Sequence, residues 1–203
     1  MNENKNSNNK KEIDKFKNFK IENMKKILTL NTLSENKMGG IWCLKTLDDG
    51  RLAAGDCYSN LFIYNQDTFN TDIIIQNNLS ILLNFIQLKN KNIVCSFDYN
   101  YTFKIIKIKN NNKYVDIQII ENAHNGWINK IIELKNENLI TFSNDCSFKI
   151  WKLNNNKYKK IYEFKDSNKL SDGLEIKDNE IILYALDSNP QSLVFFNLIK
   201  KEK

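Results

Sequence analysis

The sequence predicts an all-β chain: an array of about four four-stranded sheets, built from one repeated unit. Three observations carry this. Short polar turns open at Leu47, Leu88, Leu134 and Ile176, spaced 41, 46 and 42 residues apart across the 203-residue chain. Each turn is followed by two apolar strands at matching offsets. One stretch, residues 123–152, displays the whole unit at its clearest, as three short strands joined by tight polar turns. Self-similarity at a fixed period of this length marks sheets that stack because none can bury its faces alone.

The first twenty-two residues are rich in asparagine and lysine and nearly lack apolar positions, so a disordered tail is expected there. Order is expected to begin between Phe16 and Lys26. The domain proper is then residues 23–199, and residues 200–203 form a short basic end. A lone candidate strand, Lys26–Leu30, precedes the first unit. The turns themselves are Leu47–Leu52, Leu88–Ile93, Leu134–Leu139 and Ile176–Ile181, polar and bearing glycine or asparagine as tight hairpins require. Second strands follow at Leu52–Ala54, Ile93–Cys95, Leu139–Thr141 and Ile181–Leu183. Third strands follow at Leu61–Tyr64, Phe103–Ile106, Phe148–Trp151 and Leu193–Phe196. Fourth strands are expected at Ile73–Ile75, Val115–Ile119 and Tyr158–Phe164, with none after the fourth unit. The spare strand at one end and the missing one at the other are complementary, and closure of that kind protects sheet edges.

Within residues 123–152, the only histidine, His124, stands in the loop before the first strand. Thr141 and Ser143 lie on the second strand, Asp145 in the turn after it, and Trp151 closes the third. With the repeat length, these residues resemble the WD-repeat β-propeller family, whose blades are four-stranded sheets of roughly 40–45 residues. The resemblance spans about residues 41–198 and is specific in the third unit. It implies a β-propeller-like array of about four blades, either a small closed ring or an incomplete propeller. It also implies a structural hydrogen-bond chain through His124, Thr141 or Ser143, Asp145 and Trp151. Lys152 replaces the aspartate that usually follows the tryptophan. Tyr64, Ile106 and Phe196 stand at the tryptophan position of the other units, Lys37 at the first unit's histidine position and Tyr58 at its turn aspartate.

Chemistry-bearing patterns are few. Ser143, His124 and Asp145 are the residue types of a hydrolytic triad, but each has a place in the structural chain, and no glycine-flanked nucleophile turn surrounds Ser143. Asp48, Asp49 and Asp56 near Gly50 and Gly55 lack the alternation and closing glutamate of a calcium loop, so a solvated hairpin is expected. Gly39-Gly40 is not followed by the Lys-Ser/Thr of a phosphate loop. A single histidine builds no metal cluster. No catalytic residue, metal or cofactor is therefore expected, and the chain is read as non-enzymatic.

Charge argues in the same direction. The formal net charge is +6, but the two tails supply most of it, and Arg51 is the only arginine, which leaves little for bidentate phosphate or base recognition. No nucleic-acid partner is expected. No apolar run reaches a membrane span and the amino terminus is too polar for a secretory signal. Cys43, Cys57, Cys95 and Cys146 are scattered and read as ordinary thiols. A cytoplasmic setting is expected, with the nucleus as the alternative.

Function is then expected to lie in surface presentation: a protein-interaction scaffold whose loops before first strands, and turns between second and third strands, share one face. The candidate contact residues are Trp127, Tyr58, Tyr99 and Asn125, with Trp127 foremost because large aromatics dominate binding hot spots. The partner would be a protein or peptide, a second copy, or a blade-completing chain. The alternatives are an enzyme or small-ligand binder using a central channel, or a piece of a longer WD-repeat protein.

Overall fold

Among the described residues, fifteen strands run as antiparallel meanders, and each sheet is made of strands consecutive in the chain. The computed structural model describes residues 40–76, 81–109, 112–177, 180–185 and 193–197. All belong to one unit, Ser34–Lys203; the expected tail and the Lys26–Leu30 strand lie outside the described residues. Sheet 1 comprises β1 (Ile41–Thr46), β2 (Leu52–Asp56), β3 (Asn60–Tyr64) and β4 (Thr71–Gln76). Sheet 2 comprises β5 (Leu82–Gln87), β6 (Ile93–Phe97), β7 (Phe103–Ile108) and β8 (Tyr114–Ile120). Sheet 3 comprises β9 (Ile128–Glu133), β10 (Leu139–Ser143), β11 (Ser147–Asn154) and β12 (Lys157–Lys165). Sheet 4 has three described strands, β13 (Leu170–Lys177), β14 (Glu180–Ala185) and β15 (Leu193–Asn197). Among the described residues there is no α-helix, only a 3-10 turn at Tyr99–Tyr101, and no sheet closes on itself as a barrel.

The repeat is stricter in the backbone than in the sequence. The first turn of sheets 1 to 3 closes identically: Leu47, Leu88 and Leu134 N–H donate to the carbonyls of Arg51, Asn92 and Asn138, at 2.8 Å each. The residue three after each leucine donates back to it, and it carries positive φ whether it is Gly50 (86°), Lys91 (67°) or Glu137 (66°). Glycine removes the steric penalty there, and the other two turns accept it for the sake of the hairpin. A register shift falls at the same place in all four first strands, at Trp42, Leu83, Asn129 and Ser171. A second recurs between third and fourth strands, at Asp72, Ile117 and Ile161. Bulges bend a strand and re-aim its side chains, so the first strands of all four sheets are bent at the same position.

Successive sheets stack through their first strands, β1 on β5, β5 on β9 and β9 on β13. Three apolar clusters fill the three gaps. Leu61, Ile63, Phe85 and Phe97 lie between sheets 1 and 2. Val94, Phe103, Ile131 and Trp151 lie between sheets 2 and 3. Phe142, Phe148, Leu170 and Phe196 lie between sheets 3 and 4. Burying each such side chain contributes roughly 1.5–3 kcal/mol, offset by the entropy of ordering it. Gly173 marks the tightest approach: a Cβ there would run into the ring of Phe142.

Polar latches accompany each gap. The N–H groups of Asp48, Lys89 and Lys135 donate to Gln87, Glu133 and Glu175 of the following sheet at 2.7–2.8 Å. Asn84 Nδ2 donates to the carbonyl of Asn129 at 3.2 Å, and Asn129 Nδ2 to that of Leu170 at 3.0 Å. These first-strand polar groups tie neighbouring sheets at fixed register.

Candidate functional site

The site is built on the loop between β8 and β9 and the turn between β10 and β11. His124 is buried, 1 % exposed, and its ring bridges both. Nδ1 lies 3.0 and 3.2 Å from the Asp145 carboxylate oxygens, and Nε2 lies 2.7 Å from Thr141 Oγ1. The Trp151 indole N–H donates to the same Thr141 oxygen at 2.9 Å. The bonding pattern assigns the tautomer: the Thr141 hydroxyl donates to Nε2, and Nδ1–H donates to Asp145. Asp145 is further held by Asn125 N–H at 2.8 Å and by the Ser147 hydroxyl at 2.6 Å and N–H at 3.0 Å.

Electrostatics fit a neutral imidazole beside an ionised carboxylate. Burial lowers the His124 pKa below its ordinary value of 6.5, and this outweighs the opposing pull of the Asp145 hydrogen bond and charge. Burial alone would raise the Asp145 carboxyl, but hydrogen bonds from His124, Asn125 and Ser147 hold it well below the usual carboxylate range.

Of the two candidate second-strand residues, the structure brings Thr141 into the chain and places Ser143 elsewhere. Ser143 is fully buried; its hydroxyl donates to Gly126 O at 3.0 Å and accepts from Asp145 N–H at 3.1 Å. It ties the loop to the turn. Gly126 sits so close that a Cβ would lie 2.8 Å from the Asp145 nitrogen. Lys149 Nζ donates to Ala123 O at 2.7 Å, fixing the loop's other end. Among the described residues, no group of three His, Cys, Asp or Glu side chains could hold a metal ion.

This anchoring presents Trp127, which is 46 % exposed, with Asn125 exposed beside it. The Trp127 carbonyl accepts from Asn144 N–H at 3.0 Å, so the indole projects from a pinned backbone. Equivalent bonds, Asp98 N–H to Ile81 O and Cys57 N–H to Gly40 O, recur in sheets 2 and 1. The meander places all these turns at one end of the sheets. Tyr58 lies in the sheet 1 turn, 37 % exposed. Tyr99 lies in the sheet 2 turn, within the 3-10 segment; its side chain lies outside what is described.

Sheet 1 reveals a residue that sequence reasoning misplaced. Asp56 does not belong to a solvated hairpin: it is 1 % exposed and accepts from the N–H groups of Tyr58 and Asn60 and from Asn60 Nδ2, at 2.8–2.9 Å. It organises its turn in place of an imidazole-linked aspartate. The signal for it was an aspartate preceding a polar turn, where a carboxylate caps the N–H groups two and four residues on. Asp48 and Asp49 do stand in an exposed hairpin, paired with Lys91 and Arg51. They line an open groove of about 410 Å³ together with Gln87.

Cys43 and Cys95 are in the first cluster, and burial pushes both thiols up, Cys43 to about 12. No helix of the described residues is long and apolar enough to cross a membrane, which says nothing of strands.

No protein-family profile matches the chain. No curated protein matches it either. Among solved structures it is similar to a crystal structure described as that of the computationally designed Ika4 protein, with a TM-score of 0.62 and 14% identity, over 81% of this chain and 94% of that one. At that identity the likeness is one of fold alone: a repeating array of β-sheets.

Proposed function

We propose that the chain is a WD-type β-propeller segment, an open arc of four blades, that works as a non-catalytic scaffold. Its loop end would present Trp127, Asn125 and Tyr58 to a protein or peptide partner. The observation that carries this reading is the bonding from Trp151 through Thr141 and His124 to Asp145, which matches the family's structural chain in residue types and order. In that role the imidazole's two nitrogens are both committed to protein partners, and its chemistry is spent on holding the loop. The reward is a rigid platform: an aromatic anchor held by its own backbone loses little entropy on binding.

Polar side chains along the first strands would favour a channel ligand if they converged on a common space. Asn84, Asn129 and the Lys130–Asp172 pair are instead used between adjacent sheets, which supports the scaffold over the channel reading.

A photo-cross-linking amino acid at Asn125 tests the proposal. Irradiation in the native cell is expected to trap a defined protein, whereas the same group at Lys159 on β12 traps none. Equal trapping at both positions, or none at Asn125, would contradict it.

A further inference from the structure

The two ends of the sheets differ in charge. At the loop end, residues 56–60, 98–102, 121–127, 143–147 and 165–169 hold five acids against Lys165, Lys169 and the neutral His124 ring. At the other end of sheets 1 to 3, the turns span residues 47–52, 65–70, 88–93, 109–113, 134–139 and 154–157. They hold six lysines and Arg51 against four acids. The loop end is therefore acidic in a chain whose formal charge is +6.

Three of the loop-end acids are spent inside the protein. Asp56 and Asp145 accept from turn and loop N–H groups, and Asp166 accepts from Asn168 N–H and the Ser167 hydroxyl. Asp98 opens the sheet 2 turn, yet its side chain makes no cap bond to that turn. One of its carboxylate oxygens is buried with no hydrogen-bond partner. Buried polar atoms are nearly always paired, so this oxygen is left for a donor that the described residues do not supply. Rotation about the Cβ–Cγ bond offers either oxygen to such a donor. The turn itself is costly: Asn100 and Tyr101 follow at φ 51° and 47°, left-handed values that an aromatic residue seldom adopts. Glu121 is exposed, and among the described residues it enters no hydrogen bond or ion pair.

A backbone bond joins the segments of these two acids, as Asn122 N–H donates to Asn100 O at 2.9 Å. It lays the loop of Glu121, Asn125 and Trp127 against the turn of Asp98. An exposed indole near unpaired carboxylates suits a cation. A guanidinium or ammonium is attracted to the ring face, and an arginine fork also matches a carboxylate.

We propose that the partner met at the loop end is a basic segment, whose arginine or lysine side chains pair with Asp98 and Glu121 and lie on Trp127. The inference rests on the loop-end scaffold reading and names the chemistry of its partner. Opposite charge steers such a segment to this end, and like charge turns it away from the lysine-bearing turns at the other.

Random peptides displayed on phage, selected on the purified full chain, are the probe. The recovered peptides are expected to be rich in arginine and lysine and to bind less tightly as salt rises. Asp98→Asn combined with Glu121→Gln should weaken them at least about tenfold. Trp127→Ala should weaken them too, whereas Asp67→Asn at the other end should not. Asp98→Asn alone should melt no lower than the parent, because its carboxylate has no donor to lose; a marked loss of stability would make it a structural group and overturn the proposal. Peptides that need Trp127 but are neutral or acidic, or that ignore the two amide variants, would leave the loop-end site standing and overturn its basic partner. Peptides indifferent to Trp127→Ala, or none recovered, would contradict the loop-end reading and this proposal with it.

Discussion

Phe148→Ala is expected to cost about 3–5 kcal/mol of stability, the range for emptying a buried aromatic site. Phe148 is the hub of the third cluster. Its ring stands 5.2 Å from Phe164, 5.5 Å from Phe196, 6.0 Å from Tyr162 and 6.1 Å from Phe142. Phe164 and Phe142 are on sheet 3 and Phe196 on sheet 4, so the cavity opens inside the contact between two sheets. β10 and β11, which carry Phe142 and Phe148, are held by ladders on both sides and resist closing on the void. A loss of that size is a large share of a domain's total stability. Denaturant titration at equal protein concentration measures it. A loss below about 1 kcal/mol, the size of a tolerated packing change, would mean that sheets 3 and 4 are not packed as described.

His124→Ala should cost roughly 1–3 kcal/mol, because it removes a partner from Thr141 and from the Asp145 carboxylate while both stay shielded from water. For a chain of this size that lowers the melting temperature by roughly 2–12 °C. A pH dependence accompanies it. Burial depresses the folded-state pKa of His124 below 6.5, so below that pH the unfolded chain takes up a proton that the folded chain resists. Stability is therefore fully present above pH 6.5 and falls as pH drops towards the folded value. Asp145 adds to the loss at lower pH: its folded pKa lies below the ordinary 3.8, and its contribution disappears as acid protonates it. Thermal melts of the parent should show the His124 part of this decline between pH 8 and pH 4 and the Asp145 part only below about pH 4. His124→Ala should start lower and fall less between pH 7 and pH 5. Parallel curves would show that the imidazole does not titrate as its burial requires.

The repeat was legible in the sequence because its turns begin with leucine or isoleucine and its strands are runs of apolar residues. The observed strands enclose the expected cores and extend them by a residue or two, as at β4 and β8, because ladder bonds continue past the last apolar side chain. The third strand of sheet 3 runs on to Asn154 for the same reason. The chain through His124 was legible too, since four distinctive residue types fall at defined offsets. The choice between Thr141 and Ser143 was not. The two residues share a strand face, and only the depth of Trp151 and Gly126 decides which hydroxyl meets the imidazole. Asp56 was misread because it was grouped with Asp48 and Asp49 and not with the polar turn that follows it, whose N–H groups it accepts from. The bulges and the latches to Gln87, Glu133 and Glu175 were invisible, because backbone donors leave no mark on sequence.

Affinity for the protein trapped at Asn125 tests the loop-end scaffold most directly. Isothermal calorimetry would compare the parent with Trp127→Ala, Tyr58→Ala and Ile161→Ala, the last an exposed residue on β12. Trp127→Ala is expected to weaken binding at least about thirtyfold, as a hot-spot aromatic does. Tyr58→Ala should weaken it less and Ile161→Ala not at all, with all three melting like the parent. Undiminished affinity in Trp127→Ala, or a loss confined to Ile161→Ala, would contradict a partner site at the loop end.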